Sequence, residues 1–437
     1  MNRLLLIPLL AALLCPAARA AEGEISLSSA VALALGNNKY IQIAALEKSK
    51  ADAETAALKT RRYPAFWVAG LAFKTFEPVN FNMPAKALGP LPLVDTPINV
   101  LGTDIHGAAM AMAYQPLSEQ YRIALGIKAQ QLGAGIANED LRKSVLEITA
   151  KVKQVYYGLV QSEKALLASA GAEATYEEAV REGKEHLDSK TILPYEFFRI
   201  QAKLASQKYT TLKIENQIKS LTENLNRLMG RDVDSPLAID GNVEPDLVLP
   251  DLAKSRKSAL ANNPEIRKAE LKASQARFGV SIEKSKYIPD LGFGVQYTQL
   301  GKTNYIPDNY SGAGLFLTWD VFDWGRKQDN IRKSRSALAQ ANNLTEETRR
   351  QVIIEVSDKH RALAETLALI NAAGLERDAA KDELRVLENK YAQDAAKKTD
   401  ILAARAKYAE AEFQYRKAVL DFLSQKAALQ SLISEEI

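Results

Sequence analysis

The sequence repeats itself, and this repetition limits the folds that the chain can adopt. Four matches carry the observation, at spacings of 225, 225, 205 and 204 residues: 34–38 with 259–263, 63–64 with 288–289, the segment starting at Tyr114 with the one at Trp319, and 196–198 with 400–402. The drop in spacing indicates about 20 extra residues in the first copy. We therefore expect a tandem duplication, with residues 21–240 as the first repeat and 241–437 as the second.

The N-terminus is typical of an export signal. A short basic start at Arg3 precedes an apolar stretch over residues 4–14, and Ala18-Arg19-Ala20 is a small-x-small cleavage site. The apolar stretch is too short to cross a bilayer of about 30 Å as a helix. We predict that residues 1–20 are a signal peptide. The only cysteine, Cys15, lies within it, so disulfides and thiol chemistry are excluded from the mature chain.

Composition and spacing argue against several classes of function. The formal net charge of +4 lacks the large basic excess of a nucleic-acid binder. The three histidines, His106, His186 and His360, are far apart and show no metal-ligand spacing. No nucleophile motif is present. We therefore expect no catalytic site, no cofactor, no metal and no nucleic-acid partner.

Each repeat is predicted to follow the same plan. Helix-forming segments at 27–61 and 252–286 end at Pro64 and Pro289, and strands with a two-residue period follow near 65–73, 108–114, 291–298 and 313–319. The alternation predicts that one face carries Met110, Met112, Leu315 and Leu317, and the other Gly107, Ala109 and Thr318. His106 is expected at a strand end.

Long helices follow each strand pair. Prolines are missing between Pro116 and Pro194, and again from Pro307 to the last residue. About 70 helical residues would extend over about 100 Å. The pattern breaks near 187–194 and 394–398, so each repeat should end in a helical hairpin with its tip there.

The predicted strands restrict where the chain can be located and how many copies it needs. Strands of about ten residues have the length of tilted membrane strands, but four of them cannot close a barrel, and an open edge is forbidden in lipid. Three chains would supply 12 strands. The fold class expected is mainly α with a membrane β-barrel portion: long helical hairpins plus four strands per chain in a trimeric 12-stranded barrel.

The stretch over residues 317–326 resembles the strand-helix junction of the outer-membrane efflux proteins, the TolC-like outer-membrane factors. Its notable residues are Trp319, Phe322, Asp323, Trp324, Gly325 and Arg326. The resemblance covers nearly the whole mature chain, although the first copy lacks the glycine at this junction. It implies a homotrimer in the outer membrane of a Gram-negative bacterium. It also implies a helical tunnel across the periplasm, and partnership with a periplasmic adaptor protein, an inner-membrane pump and outer-membrane lipid.

The hairpin tips depart from the family pattern. Lys190 and Asp394 stand where relatives of this family carry glycine, while acidic residues remain at Glu196 and Asp400. The resemblance implies that Asp400 lines the closed periplasmic mouth. The alternative is that Asp400 caps its own helix, where Asp is favoured.

The function expected from this resemblance is passive exit of substrates through an efflux or type I secretion channel. The alternatives are a periplasmic coiled-coil adaptor, or a structural protein without a channel. An adaptor would share the long helices, but it would carry a lipoyl-like β domain and lack the duplicated strand pairs. The sequence does not specify the cargo or the cognate pump.

Overall fold

The structure, a computed structural model, describes residues 24–87, 89–91, 93–301, 307–393, 395–396 and 398–434. The predicted signal peptide and Asp394 lie outside the described residues. Most of the described chain is helical, as the sequence predicted. In chain order the elements are α1 (Leu27–Asn37), α2 (Lys39–Thr60), β1 (Ala65–Lys74), β2 (Val79–Met83), β3 (Thr96–Leu101), β4 (Ile105–Pro116), α3 (Glu119–Asp188), α4 (Pro194–Met229), α5 (Leu252–Asn262), α6 (Pro264–Ser285), β5 (Asp290–Leu300), β6 (Asn309–Thr318), α7 (Arg326–Tyr391) and α8 (Lys398–Ile433).

The chain divides into two compact units, and each takes segments from both repeats. We call them the strand unit (Ile43–Lys143 and Asn262–Gln351) and the helical unit (Met1–Gln42, Ser144–Ala261 and Val352–Ile437). The long helices α3 and α7 each contribute residues to both units.

The strand unit contains the four expected strands in one antiparallel sheet, in the order β1-β4-β5-β6. Strands β4 and β5 are its centre, so the second strand of the first repeat pairs with the first strand of the second repeat. A separate two-stranded sheet, β2 with β3, lies within the first repeat's insertion. This hairpin was not predicted from the sequence, because proline disfavours the assignment of a segment as a strand.

The pairing register corrects the predicted faces of the sheet. Ala65 begins β1 and lies opposite Tyr114, while Asp290 begins β5 and lies opposite Thr318. Tyr114 of the first repeat therefore corresponds to Thr318 of the second, whereas the sequence match aligned it with the next residue, Trp319. A slip of one residue moves every side chain of a strand to the other face.

The two faces of the sheet therefore differ in composition from the prediction. Opposed residues point to the same side of an antiparallel sheet. The face we call the covered face carries Met110, Met112, Tyr114, Phe316 and Thr318. The opposite face, the exposed face, carries Phe66, Val68, Gly107, Ala109, Phe293, Val295, Leu315 and Leu317. The expectation that the two methionines share a face with Leu315 and Leu317 was wrong.

Aromatic side chains fill the covered face. The ring of Tyr114 lies over Gly292, where a Cβ would stand 2.2 Å from the tyrosine hydroxyl. Phe316 similarly covers Gly294, and its ring centroid is 6.3 Å from that of Tyr114. The glycines of β5 thus leave room for the rings of both neighbouring strands. On the exposed face Leu315 and Leu317 are 68% and 67% exposed, so this apolar surface has no cover within the chain described.

The repeated asparagines mark a break that the sequence analysis did not predict. The segment over 27–61 was expected to be one helix, but α1 and α2 are separated at Asn38, as α5 and α6 are at Asn263. The Asn38 side-chain oxygen accepts a hydrogen bond from the Tyr40 N–H (2.9 Å), and that of Asn263 accepts one from the Glu265 N–H (2.9 Å). Each asparagine therefore caps the helix that follows it.

The helical unit has a core around α3 and α8, in which Tyr156 and Phe422 are fully buried. The Tyr156 hydroxyl lies 2.7 Å from the Asp240 carbonyl oxygen and 3.0 Å from that of Ile25. Burial raises the pKa of Tyr156 to about 12. Its hydroxyl thus stays protonated and holds the chain's first described residues beside the segment that links the two repeats.

Candidate functional site

The strand-helix junction of the second repeat is built by a tight turn. Trp324 and Gly325 both have a positive φ, 58° and 86°, and this reversal leads the chain from β6 into α7. The Lys327 N–H donates to the Asp323 carboxylate at 3.0 Å, which caps the start of α7. Arg326 forms an ion pair with Asp320 at 3.4 Å. The glycine of the motif therefore serves backbone geometry, and the acidic residue serves the helix start.

Aromatic side chains surround this junction on the outside. The rings of Phe322 and Trp324 meet edge to face, with centroids 4.9 Å apart. Trp324 is 89% exposed, and Trp319, Val321 and Phe322 are also exposed. Trp and Tyr with one apolar body and one polar tip are typical of the boundary between membrane and water.

The first repeat passes from β4 to α3 by a shorter connection without a residue of positive φ, and it uses different contacts. The Ser118 hydroxyl donates to the Pro289 carbonyl and accepts from the Leu291 N–H, both at 2.7 Å. Arg122 forms an ion pair with Asp290 at 2.8 Å. Both contacts connect the first repeat's junction to the start of β5, so this junction is tied to the next strand pair along the sheet.

The role of one residue in this arrangement was not evident from the sequence. Arg122 corresponds to Arg326 in the alignment of the repeats that the strand register establishes, in which Tyr114 corresponds to Thr318. The match of Tyr114 with Trp319 concealed it. The arginine of the junction motif is thus present in both repeats, although the glycine is present only in the second.

The hairpin tip of the first repeat retains a glycine-like turn without glycine. Lys190 has a φ of 58°, in the left-handed region. The Lys190 N–H donates to the Leu187 carbonyl at 3.0 Å and the Thr191 N–H to the His186 carbonyl at 2.8 Å, which together form a Schellman motif at the end of α3. The position therefore needs the conformation that glycine adopts most readily, and lysine holds it at a cost.

Glu196 lies in the first turn of α4, immediately after this tip. Its carboxylate accepts a hydrogen bond from the Leu193 N–H at 3.1 Å, as in a capping box. This contact gives Glu196 a role in starting its helix. From the sequence, such a role was predicted as an alternative for Asp400 alone.

The tip of the second repeat has a matching hydrogen bond. The Ala395 N–H donates to the Lys390 carbonyl at 2.9 Å, as the Thr191 N–H does to the His186 carbonyl. Helices α4 and α8 begin at Pro194 and Lys398, so Asp400 occupies the same first-turn position as Glu196. Asp400 is exposed. The structure therefore brings Lys190 and Glu196 together at one tip and places Asp400 at the corresponding site of the other.

Two further observations concern the described residues only. Among their helices, none combines the length and the apolar character that a membrane crossing requires. Within the same part of the chain, no three His, Cys, Asp or Glu side chains are close enough together to hold a metal ion. His106 is instead buried near the start of β4, where its Nε2 lies 2.9 Å from the Gly102 carbonyl oxygen.

Comparison with known proteins agrees with this architecture. Residues 256–435 match the profile of the family described as Outer membrane efflux protein. This match covers most of the second repeat. The family resemblance recognised in the sequence is confirmed.

Individual relatives are distant in sequence and close in fold. The chain is 19% identical over 305 residues to the alkaline protease secretion protein AprF of Pseudomonas aeruginosa, over 67% of this chain and 63% of AprF, which is less than two thirds of that relative's length. The structure is similar to the CmeC outer membrane channel of Campylobacter jejuni (TM-score 0.74, 14% identity, 93% of this chain and 85% of CmeC). It is also similar to the outer membrane protein VceC of Vibrio cholerae (TM-score 0.72, 15% identity, 93% and 95%). These similarities establish the fold.

Proposed function

We propose that the protein is a homotrimeric outer-membrane channel. The observation that carries this proposal is the four-stranded sheet, which has an uncovered apolar face and two free edges among the described residues. Such a sheet is stable in lipid only if its edges are paired. Three copies supply 12 strands, an even number within the range of bacterial barrels.

The helical hairpins supply the second part of the proposal. We infer that α3 with α4 and α7 with α8 form the wall of a periplasmic tunnel continuous with the barrel. Cargo would enter it from an inner-membrane pump through a periplasmic adaptor. AprF is named as a secretion protein and CmeC as an outer membrane channel. Both protein secretion by a type I system and efflux of small substrates are compatible with the fold.

The strand-helix junction suits the membrane boundary in this arrangement. Trp319, Phe322 and Trp324 would lie at the headgroup level, where aromatic rings are enriched. The junction's charged residues, Asp320, Asp323 and Arg326, are paired with one another and would face the aqueous side.

The hairpin tips are the candidate periplasmic mouth. Three copies of Asp400 would form a ring of carboxylates, and such rings attract cations to a constriction. Glu196 is the second candidate, although its carboxylate already accepts a bond from its own helix start. Lys190 and Asp394 mark the positions where an adaptor would approach the tip.

Cell fractionation separates this proposal from the adaptor alternative. A trimeric barrel should remain in the outer-membrane fraction and require detergent for extraction. The same preparation should form ion-conducting pores in planar bilayers. Release by osmotic shock without detergent, together with a lack of pores, would refute the channel and favour the adaptor.

A further inference from the structure

The two edge strands of the sheet, β1 and β6, are exposed along nearly their whole length. Every residue of β1 is exposed, and so is nearly every residue of β6. Phe66 and Val68 on β1 and Leu315 and Leu317 on β6 are each more than 60% exposed. Among the described residues, β1 pairs only with β4 and β6 only with β5. Long apolar edges of this kind require a partner strand.

The pairing of β4 with β5 shows how two repeats join within the chain, and it can be used to predict how two chains join. Strands β4 and β5 join the second strand of one repeat to the first strand of the next, with Tyr114 opposite Gly294 and Met112 opposite Gln296. If the repeats close into a ring, the next joint is built from the same two kinds of strand. It joins the second strand of the second repeat, β6, to the first strand of a first repeat, β1, in another chain.

The correspondence between the repeats predicts which residues lie opposite each other at the joint between two chains. Asp290 of β5 takes the place of Ala65 of β1, and Thr318 of β6 takes the place of Tyr114 of β4. Replacing both members of each β4·β5 pair by their counterparts in the other repeat gives one set of partners.

We propose that β6 pairs antiparallel with β1 of the partner subunit, with Thr318 opposite Ala69, Leu317 opposite Gly70, Phe316 opposite Leu71, Leu315 opposite Ala72 and Gly314 opposite Phe73. This rests on the proposed trimer and adds the register of its joint.

This register keeps the two faces of the sheet continuous across the joint. Thr318 and Phe316 lie on the covered face of the sheet, and so do Ala69 and Leu71. Leu317 lies on the exposed face, as does Gly70. A register shifted by one residue, such as Thr318 opposite Gly70, would join the covered face of one subunit to the exposed face of the next.

In three of the five proposed pairs a large side chain lies opposite a small one, whereas Phe316 and Leu71 are both large. Leu317 would meet Gly70, Leu315 would meet Ala72, and Phe73 would meet Gly314. The existing joint contains the same kind of pair, since Tyr114 lies opposite Gly294, although Met112 and Gln296 are both large. Large residues opposite small ones let a curved sheet pack without overlap.

Disulfide cross-linking tests the register. Cys15 is the sequence's only cysteine and lies in the predicted signal peptide, so introduced cysteines have no natural competitor in the mature chain. Directly opposed residues have Cα atoms about 4.5–5.5 Å apart, within the range that a disulfide bridges. The test protein carries Thr318→Cys with Ala69→Cys. Within one chain these two strands are separated by β4 and β5, so a disulfide must join two chains.

The matched control carries Thr318→Cys with Gly70→Cys, whose side chains would point to opposite faces. Mild oxidation of the first protein should give covalent dimers and trimers on non-reducing gels, with at least a several-fold excess over the control. A second pair on the exposed face, Leu315→Cys with Ala72→Cys, should link in the same way. Stronger linking in the control would overturn the register, as would no linking by either pair.

Native mass measurement on the unmodified chain separates the two proposals. If that chain is a trimer and neither pair links, the register is wrong and the channel proposal stands. If that chain is a monomer, the channel proposal itself fails.

Discussion

The backbone of Gly230 lies against the carbonyl of Asn37, close enough that a Cβ on the glycine would stand 2.5 Å from the carbonyl oxygen. Gly230 has a φ of 71° and directly follows the last residue of α4, while Asn37 is the last residue of α1. One residue further, the Asn38 side chain donates to the Leu228 carbonyl at 2.7 Å. The end of the first repeat's hairpin is therefore fixed to the first helix break of the same repeat.

Replacing Gly230 by alanine should destabilise the helical unit strongly. A left-handed conformation costs a residue with a Cβ about 1–2 kcal/mol, and the contact with Asn37 adds to this, so we expect a total of about 2–4 kcal/mol. Thermal unfolding followed by circular dichroism measures the loss. Gly171→Ala is the matched control, because Gly171 lies within α3 with open space around it and should gain about 0.5–1 kcal/mol. Equal effects of the two substitutions would contradict the close contact.

The assignment of the sheet faces predicts opposite responses to an introduced charge. Leu315→Arg places a cation on the exposed face and should cost about 2–4 kcal/mol if it lies near the bilayer midplane. Thr318→Arg, on the covered face of the same strand, should be tolerated much better. Resistance of the trimer to heat in detergent, read on gels, gives the comparison. If Thr318→Arg prevented assembly and Leu315→Arg did not, the faces would be inverted.

Lys190 should be replaceable by glycine with a gain in local stability. Glycine adopts the left-handed conformation without steric cost, so we expect a gain of up to about 1 kcal/mol. Hydrogen exchange of the Thr191 amide, which donates to the His186 carbonyl, should slow by up to about fivefold. In contrast, Lys203→Gly within α4 should cost about 1 kcal/mol. Faster exchange at Thr191 in the Lys190→Gly protein would show that lysine is not strained there.

The sequence predicted the fold where its signals were local or repeated. The proline-free stretches predicted helices of about 70 residues, and α3 has 70. The break near residues 187–194 predicted the first tip, and α3 and α4 meet there. Matches at fixed spacing also placed Glu196 and Asp400 at corresponding positions.

What the sequence did not predict depends on contacts between distant segments. The aromatic residues Tyr114 and Trp319 looked like counterparts in the two repeats. The register of a strand is decided by its neighbouring strands, however, and that register makes Thr318 the counterpart of Tyr114. The break at Asn38 is stabilised by the distant carbonyl of Leu228. Glu196 caps its helix by accepting a hydrogen bond from the Leu193 N–H. The family pattern of glycines at the tip does not indicate this contact.

Asp400 distinguishes a gate from a helix cap. If three copies converge at the mouth, Asp400→Asn removes their charge and should weaken both cation preference and block by divalent cations added from the periplasmic side. Planar-bilayer recordings measure both quantities. If Asp400 only stabilises the start of α8, the asparagine should leave selectivity and block unchanged. Glu196→Gln is the matched variant at the other tip, and its effect should fall mainly on helix stability.

The trimer is the central claim, and the mass of the intact assembly in mild detergent tests it most directly. The uncovered edges of β1 and β6 require partners, and three chains close the ring. Native mass spectrometry should therefore give three copies of the mature chain as the dominant species. A stable monomer, with these apolar edges still unpaired, would contradict the account.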